Sequence, residues 1–227
     1  TAVNKGIIGN NGSYGMWVSQ GAGENNGTIQ NNGSYGMFGE ENGGVDNYGF
    51  IQNSGAYGMQ VKSGATGVNQ AGGIIGNIGN HGMNVTAPGS TLTTATNHGL
   101  IQNTGDSGMS SSGAYGMITN NGTITLSGKK STGLALDHGY ITNTGTIEVT
   151  NPGITGEGSL GIFSANDTVT VNNGAINVSG IESVGIYGAN DFVAGTPASY
   201  GTRKIDITHN NIITLTDSKN NYGIYLN

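Results

Sequence analysis

The sequence predicts an all-β chain: a parallel β-helix (solenoid) of about nine rungs, each of roughly 20–28 residues, with no helix. Three observations point there: a glycine–asparagine unit that recurs along the chain, a hydrophobic period of two inside each unit, and turn signals that cut every strand short.

The repeat is plainest when Gly6-Ile7-Ile8-Gly9-Asn10-Asn11-Gly12-Ser13-Tyr14-Gly15-Met16 is set above Gly27 through Met37. The same pattern returns at Gly49, Gly73 and Gly99, so successive copies start 21, 22, 24 and 26 residues apart. Read backwards, the core becomes Asn-x-Gly-x-Ile-x-Asn-x-Gly, as in Asn25 through Gly33, Asn47 through Gly55 and Asn97 through Gly105. Asp137 through Gly145 fits it with aspartate in the first place. The second half keeps a looser form, Asn-x-Gly-x-Ile-x-Val, at Asn120, Asn143 and Asn172, followed by the anchors Gly133-Leu134, Gly161-Ile162, Gly185-Ile186 and Gly223-Ile224.

Alternation of Met16/Val18, Ile124/Leu126, Leu134/Leu136, Ile147/Val149 and Ile176/Val178 with small or polar residues marks short strands with one buried face. Glycine at this density is incompatible with helix. A constant phase of isoleucine from copy to copy places each Ile, Val or Met on its counterpart ~4.8 Å above. Asparagine tolerates the left-handed backbone of a corner, and stacked amides form ladders. The expected ladder is Asn10, Asn31, Asn53, Asn77 and Asn103, with the glycine two residues later free to take φ > 0.

Composition narrows the function classes. Glycine is 44 of 227 residues and proline only 3, which excludes collagen. The fixed intervals of the glycines, flanked by Ile, Met and Val, argue against disorder. The net charge is -6, and Lys129-Lys130 and Arg203-Lys204 read as solvated faces, so no nucleic-acid or anionic-membrane partner is indicated. Without cysteine there is no disulfide framework, thiolate site or thiol nucleophile. No apolar run approaches the ~20 residues of a membrane helix, so direct membrane insertion of this segment is not expected. The chain starts at Thr1 inside a repeat, with no signal peptide or capping repeat in view, and residues 1–227 are read as one solenoid segment of a longer protein.

Catalytic and metal-binding motifs are thin. The 13 acids look scattered, with Glu40, Glu41 and Asp46 as one cluster, read as a solvated loop with calcium as the alternative. Glycoside cleavage needs two carboxylates ~5–9.5 Å apart, and no such pair stands out. His98 and His138 share one repeat position, but Lys5 and Asn26 occupy it too, so no metal site is assigned. No Gly-x-Ser-x-Gly elbow occurs. No cofactor is expected, and Thr123/Thr125 and Thr168/Thr170 are too isolated for an ice-binding array.

Binding residues are better represented. Tyr14, Tyr35, Tyr57 and Tyr115 precede Gly-Met and Tyr222 precedes Gly-Ile, in a slot also held by Leu160 and Val184. That slot reads as inward or corner packing, with a solvent-facing strip for sugars or a partner as the alternative. Trp17, of opposite parity to Met16, should point outward as a contact residue. From Ile186 to Ile224 the anchors lie 38 residues apart, and the surplus at 190–204 is read as a loop insertion. Its candidate contacts are Phe192, Pro197, Tyr200, Arg203 and Lys204.

The tandem Asn-x-Gly-x-Ile units with Gly-Met or Gly-Ile anchors resemble passenger domains of type V autotransporters, above all the large fusobacterial outer-membrane adhesins. The resemblance covers nearly the whole chain except 190–204, and implies the right hand of the helix. It also implies a monomeric rod at the outer membrane of a Gram-negative bacterium, binding host-cell proteins, glycans or other bacteria. The alternatives are a carbohydrate-active β-helix enzyme and a purely structural stalk.

Overall fold

A computed structural model describes residues 1–9, 12–30, 33–52, 54–113, 115–127, 130–150, 158–189, 204–216 and 220–227. Among these every regular element is a strand, and every recorded strand pairing is parallel. The fold is the β-solenoid that the sequence predicts. Three strand faces stack along one axis. The first begins with Ala2–Asn4, Ala22–Asn25 and Gly44–Asn47, and the second is a nine-stranded sheet running from Ile7–Gly9 to Ile213–Thr216. The third runs from Tyr14–Val18 to Tyr222–Leu226. Most strands have three to six residues, but Thr132–Asn143 and Leu160–Asn172 run unbroken from the third face into the first face of the next turn. Their corner is a register shift between Asp137 and Gly139, with His138 at φ 75° and Gly139 at φ 113°.

The interior is made of columns. Ile29, Ile51, Ile75, Ile101, Ile124, Ile147 and Ile176 stack on the second face, all fully buried, and Met37, Met59, Met83, Met109, Leu134, Ile162 and Ile186 do so on the third. Each such side chain withdrawn from water stabilises the fold by about 1.5–3 kcal/mol. Large and small residues alternate across the lumen: a Cβ on Gly67 would meet Val61 Cγ1 at 2.9 Å. Where the column turns polar, Ser164 Oγ and Thr170 Oγ1 satisfy each other at 2.6 Å.

The asparagine ladder is real but occupies another column from the expected one. It consists of Asn4, Asn25, Asn47, Asn69, Asn97, Asn120, Asn143 and Asn172, at the ends of the first-face strands. Each Nδ2 donates to the next Oδ1 at 2.6–2.8 Å, and Asn172 Nδ2 donates to Nδ1 of His209 at 2.8 Å. The remaining amide hydrogen reaches the carbonyl of the turn glycine, as from Asn47 to Gly49 at 3.1 Å. Of the expected column, Asn10, Asn31 and Asn53 lie outside the described residues, and Asn103 to Asn77 is one exposed bond at 3.4 Å. There the roles are exchanged: Asn77 and Asn103 themselves take positive φ (55° and 52°). Gly79 and Gly105 instead lack room for a Cβ, because the carbonyl of the preceding copy lies against them.

Two further expectations are corrected by register. Ile141 pairs with Ile118 on the first face, so the unit in phase with Asn120 starts at Asn143, not Asp137. His138 therefore sits at the strand corner while His98 sits in the turn after Asn97, and the two do not share a column.

Candidate functional site

Among the described residues, the third face carries the stacked aromatic rings. Its strands turn Tyr14, Tyr35, Tyr57 and His81 outward in register as one column, and Trp17, Phe38, Gln60 and Asn84 as a second. The rings of the first column stack face to face along the axis: Tyr14 on Tyr35 at 4.9 Å and 7°, Tyr35 on Tyr57 at 5.3 Å, and Tyr57 on His81 at 5.5 Å. Phe38 is buried beneath them and tilted against Tyr14 and Tyr35. The tyrosine slot is thus a partly exposed outer strip, the alternative to the inward packing read from Leu160 and Val184. Tyr14 is 39 % exposed. Tyr115 does not belong to it: Gly116–Asn120 is a first-face strand, and Tyr115 stands exposed at its start.

Trp17 points outward as expected, 61 % exposed, and is held rather than loose. One face of the indole lies on Tyr14 at 5.8 Å, and Nε1 donates to Glu40 Oε1 at 3.0 Å. Electrostatics follow the packing. Burial, with Tyr14 and Tyr57 alongside, holds the Tyr35 phenol above its ordinary pKa. Burial likewise lowers the pKa of His81, opposed by Asp106, while Ser107 Oγ lies 2.6 Å from its Nδ1.

A second aromatic group lies farther along the same face: Phe163, Tyr187 and Tyr225 continue the Trp17 column, and Leu160, Val184 and Tyr222 continue the Tyr14 column. Phe163 stacks on Tyr187 at 5.7 Å and Tyr187 on Tyr225 at 5.5 Å, with Tyr222 tilted across. Here Leu160, Val184, Tyr187, Tyr222, Tyr225 and Glu182 line an open cavity of about 590 Å³. Sequence reasoning named Tyr222 but missed Phe163, Tyr187 and Tyr225, although their signal was present: each of the three follows a Gly-Ile anchor, as Trp17 and Phe38 follow Gly-Met.

The other candidates divide. Phe192, Pro197, Tyr200 and Arg203 lie outside the described residues, as does 190–203. Lys204 is exposed and paired to Asp206 through Nζ at 2.7 Å. Glu40, Glu41 and Asp46 do not converge, since Glu40 is tied to Trp17 and Asp46 accepts from Gln70 Nε2 at 2.8 Å on the first face. Among the described residues no three His, Cys, Asp or Glu side chains group as a metal site. The acids are nonetheless less scattered than they look in sequence, because Glu24 and Asp46 are register neighbours on adjacent turns. Among the described residues no helix is long and apolar enough to cross a membrane.

No family model matches the chain, nor does any curated protein or solved structure.

Proposed function

We propose that this chain is a segment of a surface-displayed bacterial adhesin, whose solenoid presents binding sites for host-cell receptors, glycans or other bacteria. The observation that carries the reading is the third face, where aromatic side chains are lined up outward instead of being used for the core. Exposed, pre-ordered aromatic rings are what contact surfaces use, because they offer large area at little entropic loss. Display at the outer membrane of a Gram-negative bacterium, as an autotransporter passenger, is part of the same proposal and is supported by the repeat pattern. So is the absence of catalysis: the rings, not a convergent set of ionisable groups, are the organised chemistry of the surface.

The test is binding of the labelled chain to cultured epithelial cells and to mixed bacterial cells, beside a Trp17→Ala/Tyr14→Ala variant. The expected result is saturable binding that the variant loses while keeping its β-sheet spectrum. Binding by neither protein would leave a structural stalk as the better reading.

One observation favours a second reading. Adjacent carboxylates such as Glu24 and Asp46 are the raw material of a glycosidase, whose retaining form places them ~5–5.5 Å apart. Release of reducing sugar from polysaccharides, abolished by Glu24→Gln, would establish the enzyme alternative.

A further inference from the structure

The stacked rings of the third face cover one another, but two tyrosines elsewhere do not. Tyr115 and Tyr140 stand outward on the first face, 47 % and 52 % exposed, and among the described residues neither packs on another ring. Both lie on turns in the middle of the solenoid. Gly116–Asn120, just after Tyr115, pairs with Thr93–Asn97 on one side and with the strand of Tyr140 on the other. That strand pairs in turn with Leu160–Asn172. The exposure of the two rings is therefore a property of the face and of neither end of the chain.

The register sets them in a neutral field. One outward column runs Thr66, Thr94, Met117, Tyr140, Val169, and the next runs Val68, Thr96, Thr119, Thr142, Val171. Leu92, also exposed, and Tyr115 stand one residue ahead of the pairing of Thr93 with Gly116, at the edge nearest the corner. Formal charge begins outside the field. Asp46 is the register neighbour of Val68 at one end, Asp206 is that of Val169 at the other, and Asp137 with His138 marks the corner. Inside it, the hydroxyls of Thr94, Thr96, Thr119 and Thr142 have no hydrogen-bond partner among the described residues. Ala95, Ile118 and Ile141, on the inward side of the same strands, are buried and hold this surface in place before any ligand arrives.

Size separates the possible occupants. Five strands at ~4.8 Å, each offering ~13 Å from the position of Leu92 to that of Thr96, give on the order of 300 Å². A stable protein interface takes about 800 Å² from each partner, so a second copy laid face to face on this field falls well short. We infer that this part of the first face binds a short, linear, neutral oligosaccharide. Flat exposed rings take the C–H faces of pyranoses, and unpaired threonine hydroxyls answer sugar hydroxyls. Tyr115 and Tyr140, on adjacent turns and two residues out of register, stand ~8 Å apart and so meet successive parts of one ligand. Acidic glycans are opposed by Asp46, Asp137 and Asp206 around the rim. The site is separate from the third-face strip, so the two stand or fall independently.

The probe is an array of neutral and acidic monosaccharides and oligosaccharides, applied to the whole chain and to Tyr140→Ala, Tyr140→Phe, Thr119→Val and Trp17→Ala/Tyr14→Ala. The expected result is binding of neutral oligosaccharides in preference both to monosaccharides and to acidic glycans. Loss of the ring in Tyr140→Ala should weaken that binding about tenfold, and loss of one hydroxyl in Thr119→Val about fivefold. Tyr140→Phe, which keeps the ring, and the third-face variant should bind the array like the parent. No array binding by the parent, a preference for acidic glycans, or unchanged binding by Tyr140→Ala and Thr119→Val would overturn the inference, whatever the cell-binding assay shows. Self-association in sedimentation that Tyr140→Ala abolishes, with no array binding, would assign the field to a second copy and overturn it too. Thr119→Val and Tyr140→Phe preserve the shape of the strand, and far-UV circular dichroism on every variant guards against misfolding.

Discussion

Asn97 occupies the middle of the buried amide ladder, accepting from Asn69 Nδ2 and donating to Asn120 Oδ1, both at 2.8 Å. Its Nδ2 also reaches the Gly99 carbonyl at 3.2 Å. Replacing it by alanine leaves Asn120 Oδ1 without its ladder donor and takes the Asn69 amide's best acceptor, in a site with no access to water. Asn69 Nδ2 keeps the Gly73 and Leu100 carbonyls at 3.2 and 3.3 Å, so Asn120 Oδ1 is the group left orphaned, at about 1–3 kcal/mol, and the lost bonds contribute about 1 kcal/mol more. The expected destabilisation by Asn97→Ala is therefore about 3 kcal/mol. Asn4→Ala, at the end of the ladder with one neighbour, should cost about 1 kcal/mol. The assay is urea unfolding of both variants and the parent, followed in parallel by far-UV circular dichroism and by Trp17 fluorescence. Because solenoid turns are coupled to their nearest neighbours, a central defect can also separate the two signals, with Trp17 reporting the first turn. A central variant no less stable than the terminal one, with superposed transitions, would refute the idea that the ladder works as a connected buried network.

Gly99→Ala should destabilise by ~3 kcal/mol, since its Cβ would press on the Gly73 carbonyl and lie 2.6 Å from the Gln70 carbonyl, whereas Gly12→Ala, with open space around it, should stay within about 0.5 kcal/mol. Thermal melts of the pair compare them directly. His81 has a folded pKa below its unfolded value, so between the two the unfolded chain binds more protons and stability falls as pH drops below about 6.5. His81→Phe, which keeps a ring on Tyr57, should flatten the pH dependence of the urea midpoint over that window; an unchanged slope would assign it to other groups. Glu24→Gln removes a like charge from the register neighbour of Asp46 and should stabilise by ~0.2–1 kcal/mol in low salt, with the gain fading as salt is added.

Much of the fold was legible because a solenoid makes its contacts between copies of the same short pattern. The isoleucine of each Asn-x-Gly-x-Ile unit fell into the core, as Ile29, Ile51 and Ile101 show, and so did the Gly-Met anchors. Trp17 was legible from parity alone. What failed were choices between two equally repeated columns. Asn97 and Asn103 both recur, and which one is buried depends on where the chain turns its corner, a property of three-dimensional phase and not of composition. Asp137 fitted the consensus apart from its aspartate, yet the strand Thr132–Asn143 carries straight through that position and the asparagine in phase comes six residues later, at Asn143. Tyr115-Gly116-Met117 imitated an anchor for the same reason, although its glycine starts a first-face strand. The pairing of Glu24 with Asp46 and the Phe163–Tyr187–Tyr225 column needed register, which sequence separation of 22 to 38 residues conceals.

The amide ladder has one direction: every Nδ2 along it points toward the C-terminal end. A chain that assembles turn by turn from its N-terminus therefore always ends on the same surface, one amide awaiting one acceptor. The boundary penalty is constant however many turns already stand behind it, and each new turn extinguishes one orphan and creates the next. Growth can pause after any turn and resume without undoing what came before, and reversing it demands that satisfied amides be broken one at a time from the open end.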